Sequence, residues 1–303
     1  MKTEALQGEI RSLLAKRRGV LLAHYYQRAE VQQIADVVGD SLALSIAASK
    51  TDAELIVFAG VHFMAESAAI LSPEKTVLLP RADAGCALAD MATADQLEQA
   101  RRDHPGAAIV TYVNSTAAAK AVSDVCCTSA NAVQVVASLE GFDTVIMAPD
   151  GNLARYVARF TAKRILPWEG CCPVHDQLST EEVLRLREAH PHALFAAHPE
   201  CRPALLDMAD FVGSTAAILR FAGEPRVREL LVGTEEGILV ELVRRHPDKQ
   251  FIPASPRLVC HTMKYTTLED IRSSLTENRT VITVPESLRV PARLALDRMV
   301  RIG

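Results

Sequence analysis

The chain repeats itself three times, and a cysteine marks each copy. Cys86, Cys172 and Cys260 lie 86 and 88 positions apart. Each follows the same pattern of a lysine, an apolar run and a proline: Lys75-Thr-Val-Leu-Leu-Pro80, Lys163-Arg-Ile-Leu-Pro167 and Lys249-Gln-Phe-Ile-Pro253. Self-similarity at a long fixed period is the mark of a copied supersecondary unit, and three copies can bring three like positions to one axis. Three thiolates on an axis point to a metal.

The register extends upstream of the cysteines. An apolar, strand-like run opens each copy (Val20 to Ala23, Ala108 to Thr111, Ala193 to Ala197) and delivers His24, Tyr112 and His198 at its end. Two residues on stand Tyr26, Asn114 and Glu200, and seventeen residues after the first polar position stand Ser41, Ser129 and Thr215. Each hydroxyl precedes or begins a helical stretch, where a lone Ser or Thr reads as a cap on the first free amides. Recurrence adds a second reading. Three helix N-termini facing one cavity would favour a multiply anionic ligand. A lone histidine reads as structural and a lone glutamate as solvated. Placement at equivalent strand ends, where α/β proteins bind ligands, moves His24, His198 and Glu200 into the cavity.

Within each copy strand and helix alternate. In the first, Val20 to Ala23 reads as strand, Ala29 to Val38 and Ser41 to Lys50 as helices, and Glu54 to Ala59 as strand. Phe63 to Leu71 then reads as helix and Thr76 to Leu79 as strand. The other copies repeat that order, with central strands Thr144 to Ala148 and Glu229 to Val232. Continuous apolar strands between helices predict parallel sheets covered on both faces, so the fold class is α/β, three similar αβα sandwiches. The expected units are 1–87, including an N-terminal amphipathic helix up to Arg18, then 88–174 and 175–262, with a closing segment 263–303. In that segment Thr267 to Leu275 and Pro291 to Val300 read as helices and Val281 to Val284 as a strand.

Composition mainly excludes. A net charge of −4, from 33 basic and 37 acidic residues, shows no bias toward nucleic acid. No apolar run reaches the roughly 18 residues of a membrane span, and the first residues lack a signal-peptide pattern, so a cytoplasmic protein is expected. Seven cysteines, an odd number, favour reduced thiols or metal ligation over a disulfide framework. Neither a Gly-x-Gly-x-x-Gly turn nor a Gly-x-x-x-x-Gly-Lys-Ser/Thr loop is present, which disfavours a dinucleotide or ATP enzyme.

Three widely spaced thiolates suit zinc or an iron-sulfur cluster. A structural zinc site usually adds a fourth ligand and close Cys-x-x-Cys pairs, whereas a four-iron cluster on three cysteines keeps one open iron. Cys126, Cys127, Cys171 and Cys201 read as buried apolar thiols, with Cys171 the rival of its neighbour Cys172. An iron-sulfur hydro-lyase and a non-enzymatic zinc-binding module both remain as alternatives at this point.

Several separated motifs resemble those of the quinolinate synthase family in its compact form. They are Ala23-His24-Tyr25-Tyr26, Val38-Gly39-Asp40-Ser41, Gly60-Val61-His62-Phe63-Met64-Ala65-Glu66, Tyr112-Val113-Asn114-Ser115, Gly170-Cys171-Cys172-Pro173-Val174-His175, His198-Pro199-Glu200-Cys201, Val212-Gly213-Ser214-Thr215 and Met263-Lys264. The resemblance runs from about Val20 to Leu275. It implies three α/β sandwiches about a pseudo-threefold axis, with one 4Fe-4S cluster held by Cys86, Cys172 and Cys260. The family pattern Gly-x-Cys-x-Val-His selects Cys172 over Cys171. The implied reaction condenses iminosuccinate with dihydroxyacetone phosphate to quinolinate, phosphate and water, with the open iron as Lewis acid.

The implied substrate-binding set is His24, Ser41, Tyr112, Val113, Asn114, Ser129, His198, Pro199, Glu200 and Thr215. Glu200 is the expected general base and Tyr26 the proton donor or relay, with His198 and Tyr112 beside them. His175 has two readings, as a partner to the cluster ligands or as a structural histidine. The sequence departs from the family at His261-Thr262, where relatives commonly carry Pro-Asn. It also lacks the C-terminal Cys-x-x-Cys-x-x-Cys of longer relatives. The partners implied are small molecules and, through the pathway, an enzyme that makes the imine; neither nucleic acid nor membrane is among them.

Overall fold

The structure, a computed structural model, describes residues 2–302. Among these residues, twelve strands form three parallel four-stranded sheets. The first sheet holds β1 (Gly19–His24), β2 (Val37–Gly39), β3 (Leu55–Ala59) and β4 (Thr76–Leu78). The second holds β5 (Ala108–Tyr112), β6 (Val125–Cys127), β7 (Thr144–Ala148) and β8 (Arg164–Pro167). The third holds β9 (Leu194–Ala197), β10 (Phe211–Val212), β11 (Glu229–Gly233) and β12 (Gln250–Pro253). The strand orders are β2-β1-β3-β4, β6-β5-β7-β8 and β10-β9-β11-β12, the same winding three times. Strands such as β3 and β5 are buried along their whole length. Such strands need cover on both faces, and the intervening helices supply it in three αβα sandwiches.

Each sheet contains one strand more than the apolar pattern predicts. The helix expected over Ala29 to Val38 stops at Gln32, and Val37–Gly39 pairs with Leu22, Ala23 and His24. Asp36 explains the turn. Its carboxylate accepts the Leu21 amide at 2.7 Å while its own amide donates to the Leu21 carbonyl at 2.9 Å, which draws the chain into the sheet. Asp124 does the same to Ile109 and Asp210 to Phe195, at 2.7 and 2.8 Å for the carboxylate bonds. The repeated lysine also has a structural task. Lys75 donates to the Thr51 carbonyl, Lys163 to those of Leu139 and Phe142, and Lys249 to those of Ala222 and Glu224. Each ammonium thus sits on the free carbonyls just after or at the end of a helix, where positive charge is favoured.

The chain ends close over the repeats. The helix Lys2–Lys16 packs on Leu268–Glu277, and Arg17 Nη1 donates to the Leu275 carbonyl at 2.8 Å. The last helix runs Glu286–Ile302, with Pro291 inside it rather than at its start. It buries Ala292, Ala295, Leu296 and Met299 against helices of the first and second repeats. Val281 to Val284, expected as a strand, makes only an antiparallel bridge from Val281 to Leu78. One buried apolar cluster takes in Leu22 and Phe58, Val110 and Met147, and Leu230 and Val232. The three sandwiches therefore share a core, which fixes their strand ends relative to one another.

Candidate active site

A strand order of the form 2-1-3-4 reverses its winding between the first and third strands, and a crevice opens beyond their C-terminal ends. The residues after β1, β5 and β9 emerge at that point in each sheet. His24, Tyr112 and His198, then Tyr26, Asn114 and Glu200, then Ser41, Ser129 and Thr215 all line one pocket, joined by Asp40, Phe63, Thr128 and Met263. Equivalent positions of three repeats meeting in one pocket is the arrangement of three units about a common axis. Val113 and Pro199 belong to the same loops but do not line the pocket; Val113 is buried in the shared core.

The three hydroxyls are not the helix caps. Asp40 caps the helix Ser41–Lys50 by accepting from the Ala43 amide at 3.0 Å, and Ser214 caps Thr215–Ala222 by accepting from Ala217 at 3.3 Å. Ser129 lies ahead of the helix Ala132–Ala137, whose N-cap residue is Asn131. With the cap made by a preceding residue, the hydroxyls of Ser41 and Thr215 are left for the pocket.

His24 and His198 are held alike. Nδ1 of His24 accepts the Tyr26 amide at 3.1 Å, and Nδ1 of His198 accepts the Glu200 amide at 3.3 Å. In the neutral ring this places the proton on Nε2, and His198 Nε2 lies 3.1 Å from Ser129 Oγ. Burial lowers both rings to about 3, with the neighbouring His198 adding to the effect on His24, so they are neutral donors near neutral pH. Burial is the largest influence on Glu200 and opposes its ionisation, but His175, His198 and the hydrogen bonds from His175 and Tyr112 together hold the carboxyl below the usual range. Burial, then the Glu200 charge, raises the Tyr26 and Tyr112 phenols well above 10, and they remain protonated.

A chain of buried groups links the acid and the phenol. Glu200 Oε2 lies 2.7 Å from His175 Nδ1, and His175 Nε2 lies 2.9 Å from Thr234 Oγ1. Thr234 Oγ1 is in turn 2.7 Å from the Tyr26 hydroxyl, which is 3.1 Å from Thr215 Oγ1. With Nδ1 donating to the carboxylate, Nε2 accepts from Thr234 and Thr234 accepts from Tyr26. Thr234 is fully buried and has no hydroxyl counterpart in the repeats, since Gly60 and Pro149 occupy the equivalent places. The repeat pattern therefore gave no signal for it. Its place at the end of β11, on the switch crevice, is the clue that strand position alone could have supplied.

The cysteines define a second cavity. Cys86, Cys172 and Cys260 line a space of about 570 Å3, whose walls include Leu88, Pro173, Val174 and Val259. Cys171 does not line it, and its amide faces Met91 Sδ at 3.4 Å. Cys126, Cys127 and Cys201 are buried in apolar clusters. Burial raises the Cys86 thiol to about 12 and raises Cys172 and Cys260 as well, so a bound cation must displace their protons. His175 lies between a residue of each cavity, its Nδ1 being 3.3 Å from Cys172 Sγ and 2.7 Å from Glu200 Oε2. Donor atoms of Cys172, His175 and Glu200 lie within 4.8 Å of one another, a group that could hold a metal ion. Residues His261–Lys264, which include the departure at His261-Thr262, form a single 3-10 turn directly after Cys260.

Residues 8–301 match the family model described as quinolinate synthetase A protein. The chain belongs to the quinolinate synthase family. It is 55% identical over 302 residues to the quinolinate synthase of Geotalea uraniireducens, covering 100% of this chain and 99% of that one. Identity is 54% over 302 residues to that of a Geobacter species (strain M21), with the same coverage. The quinolinate synthase of Methanoregula boonei is 52% identical over 300 residues, 99% of each chain. The protein is an enzyme of this type. No helix among the described residues is long and apolar enough to cross a membrane.

Proposed function

We propose that this family member condenses iminosuccinate with dihydroxyacetone phosphate to quinolinate, releasing phosphate and two molecules of water, in the cytoplasm. The observation that carries the reading is the meeting of one cysteine from each repeat in one cavity, with His175 linking Cys172 there to Glu200 in a pocket of buried donors. The donor set suits a 4Fe-4S cluster held by Cys86, Cys172 and Cys260, since soft thiolates favour iron-sulfur centres. When bound, such a cluster leaves one iron without a protein thiolate and supplies a Lewis acid for the hydroxyl lost in dehydration.

The protein groups account for binding and proton movement. Both substrates are anionic, and no arginine or lysine is among the residues lining the pocket. Neutral His24 and His198, the hydroxyls of Ser41, Ser129 and Thr215, and Tyr112 supply donors, while the starts of Ser41–Lys50 and Thr215–Ala222 add partial positive charge. Asn114 Oδ1 and Glu200 Oε1 are buried without a hydrogen-bond partner, which is costly unless a ligand completes them. Glu200, ionised in the resting site, is the general base that takes protons from carbon. Tyr26 is the acid, and the His175-Thr234 link lets a proton pass between the two without solvent. An enzyme producing the unstable imine would supply the first substrate.

The test is an anaerobic assay of the reconstituted protein with the two substrates, following quinolinate, together with its visible spectrum. Quinolinate formation by brown protein is the expected result. A colourless zinc protein, or turnover of a simple hydroxy acid without dihydroxyacetone phosphate, overturns the reading.

A further inference from the structure

Register equates Ala59, Ala148 and Gly233, which pair with Ala23, Thr111 and Ala197 on the central strands. Two residues further on stand Val61, Asp150 and Glu235. In the second and third repeats that residue is a buried carboxylate that accepts the backbone amide of the cavity cysteine: Asp150 Oδ2 from Cys172 and Glu235 Oε1 from Cys260, both at 3.1 Å. The first repeat has no carboxylate there.

Glu235 goes further than Asp150. It is fully buried, its Oε1 lies 2.9 Å from Lys264 Nζ, and its Oε2 accepts the Gly237 amide at 2.7 Å. Lys264 Nζ in turn donates to the Tyr26 carbonyl at 2.7 Å. Glycine is required at 237 because a Cβ there would stand 2.7 Å from Tyr26 Cα and 2.8 Å from Lys264 Nζ. One ion pair therefore touches the backbone of a cavity cysteine and that of the proton-donating tyrosine, across two repeats. Buried pairs of this kind add little net stability but enforce one arrangement.

We infer that Glu235 and Lys264 are a positioning pair that fixes the Cys260 loop against the Tyr26 loop, setting the distance between the third thiolate and the phenol. The metal side of this inference rests on the reading proposed above, whereas the positioning of Cys260 does not. Glu235→Gln keeps an acceptor for the Cys260 amide but removes the charge, Lys264→Met removes the cation, and the double variant restores neutrality and guards against a chain that does not fold.

The experiment measures alkylation of each cysteine by iodoacetamide in iron-free protein, by peptide mass spectrometry, and then iron release from reconstituted protein to a ferrous chelator. In the folded variants Cys260 is expected to react at least about fivefold faster, while Cys86, whose repeat has Val61 instead, keeps the parental rate; iron release quickens in parallel. General loosening would speed all three thiols together. Equal acceleration at Cys86 and Cys260, or none at either, overturns the inference. A parental chain that takes up no iron defeats the cluster reading alone, since thiol selectivity still decides the role of the pair.

Discussion

Lowering the pH from about 7 to about 5 should destabilise the metal-free protein through two imidazoles. His24 and His198 are buried and held at about 3, against an ordinary value of 6.5. The unfolded chain thus binds protons that the folded chain refuses, so their contribution is complete above pH 6.5 and is lost as pH falls from there toward 3. Over the two-unit drop the linkage comes to about 2 kcal/mol per ring and about 4 kcal/mol for the pair. Glu200, held below its ordinary 4.5, weakens the fold in the same direction but only below that value, and Asp150 and Glu235, raised by burial, act in the opposite direction, so the histidines are read from the difference between parent and variant. Urea unfolding followed by far-ultraviolet circular dichroism at the two pH values, for the parent and a His24→Asn/His198→Asn variant, gives the difference. The variant should lose most of the pH-dependent fall. An equal fall in both proteins would refute the assignment of two buried neutral rings.

Thr234→Val removes the hydroxyl between His175 and Tyr26 and should lower kcat by about 100-fold with little change in KM, while Thr234→Ser restores most of it; equal kcat in Val and Ser variants argues against the relay. Cys86→Ala, Cys172→Ala and Cys260→Ala should each abolish stable iron binding, whereas Cys171→Ala keeps iron content and turnover, because Cys171 lies outside the shared cavity. Iron analysis after anaerobic reconstitution decides this, and full iron in any of the first three removes that cysteine from the ligand set. Gly237→Ala places a methyl 2.6 Å from the Tyr25 carbonyl and should cost about 1–3 kcal/mol in urea unfolding. A parental unfolding midpoint would mean that the Tyr25-Tyr26 backbone yields freely.

What could be read from the sequence and what could not divide along one line. Positions that recur in all three copies stand out against unrelated neighbours, so the strand-end trio, the residues two further on, the hydroxyls and the cysteines could be matched by counting, and they meet in space. The sheet cores were legible too, because fully buried strands such as β3 read as unbroken apolar runs. The added strands β2, β6 and β10 span two or three residues, too few for any period to show, and depend on Asp36, Asp124 and Asp210 reaching back to a neighbouring strand. The hydroxyl positions were legible, and of their two readings the capping one fails for Ser41 and Thr215, since the adjacent Asp40 and Ser214 supply the caps while the hydroxyl residues line the pocket.

The same reasoning shows where a repeat protein should keep its chemistry. Symmetry can build the vessel, but a reaction that separates acid from base needs the three units to differ. At the strand-end position plus two, the copies carry Tyr26, Asn114 and Glu200, a phenol, an amide and a carboxylate, and in the proposed mechanism only the first and third exchange protons. The link between them, Thr234, stands where the other copies have Gly60 and Pro149, and the Glu235-Lys264 pair stands where the first copy has Val61. The second repeat departs as well, with Tyr112 where the others carry His24 and His198, but the departures that link side chains across repeats lie between Tyr26 and the third repeat. Restoring likeness there, by Thr234→Gly, should therefore leave the three sheets recognisable by circular dichroism while removing the link between Tyr26 and His175, seen as a loss of kcat.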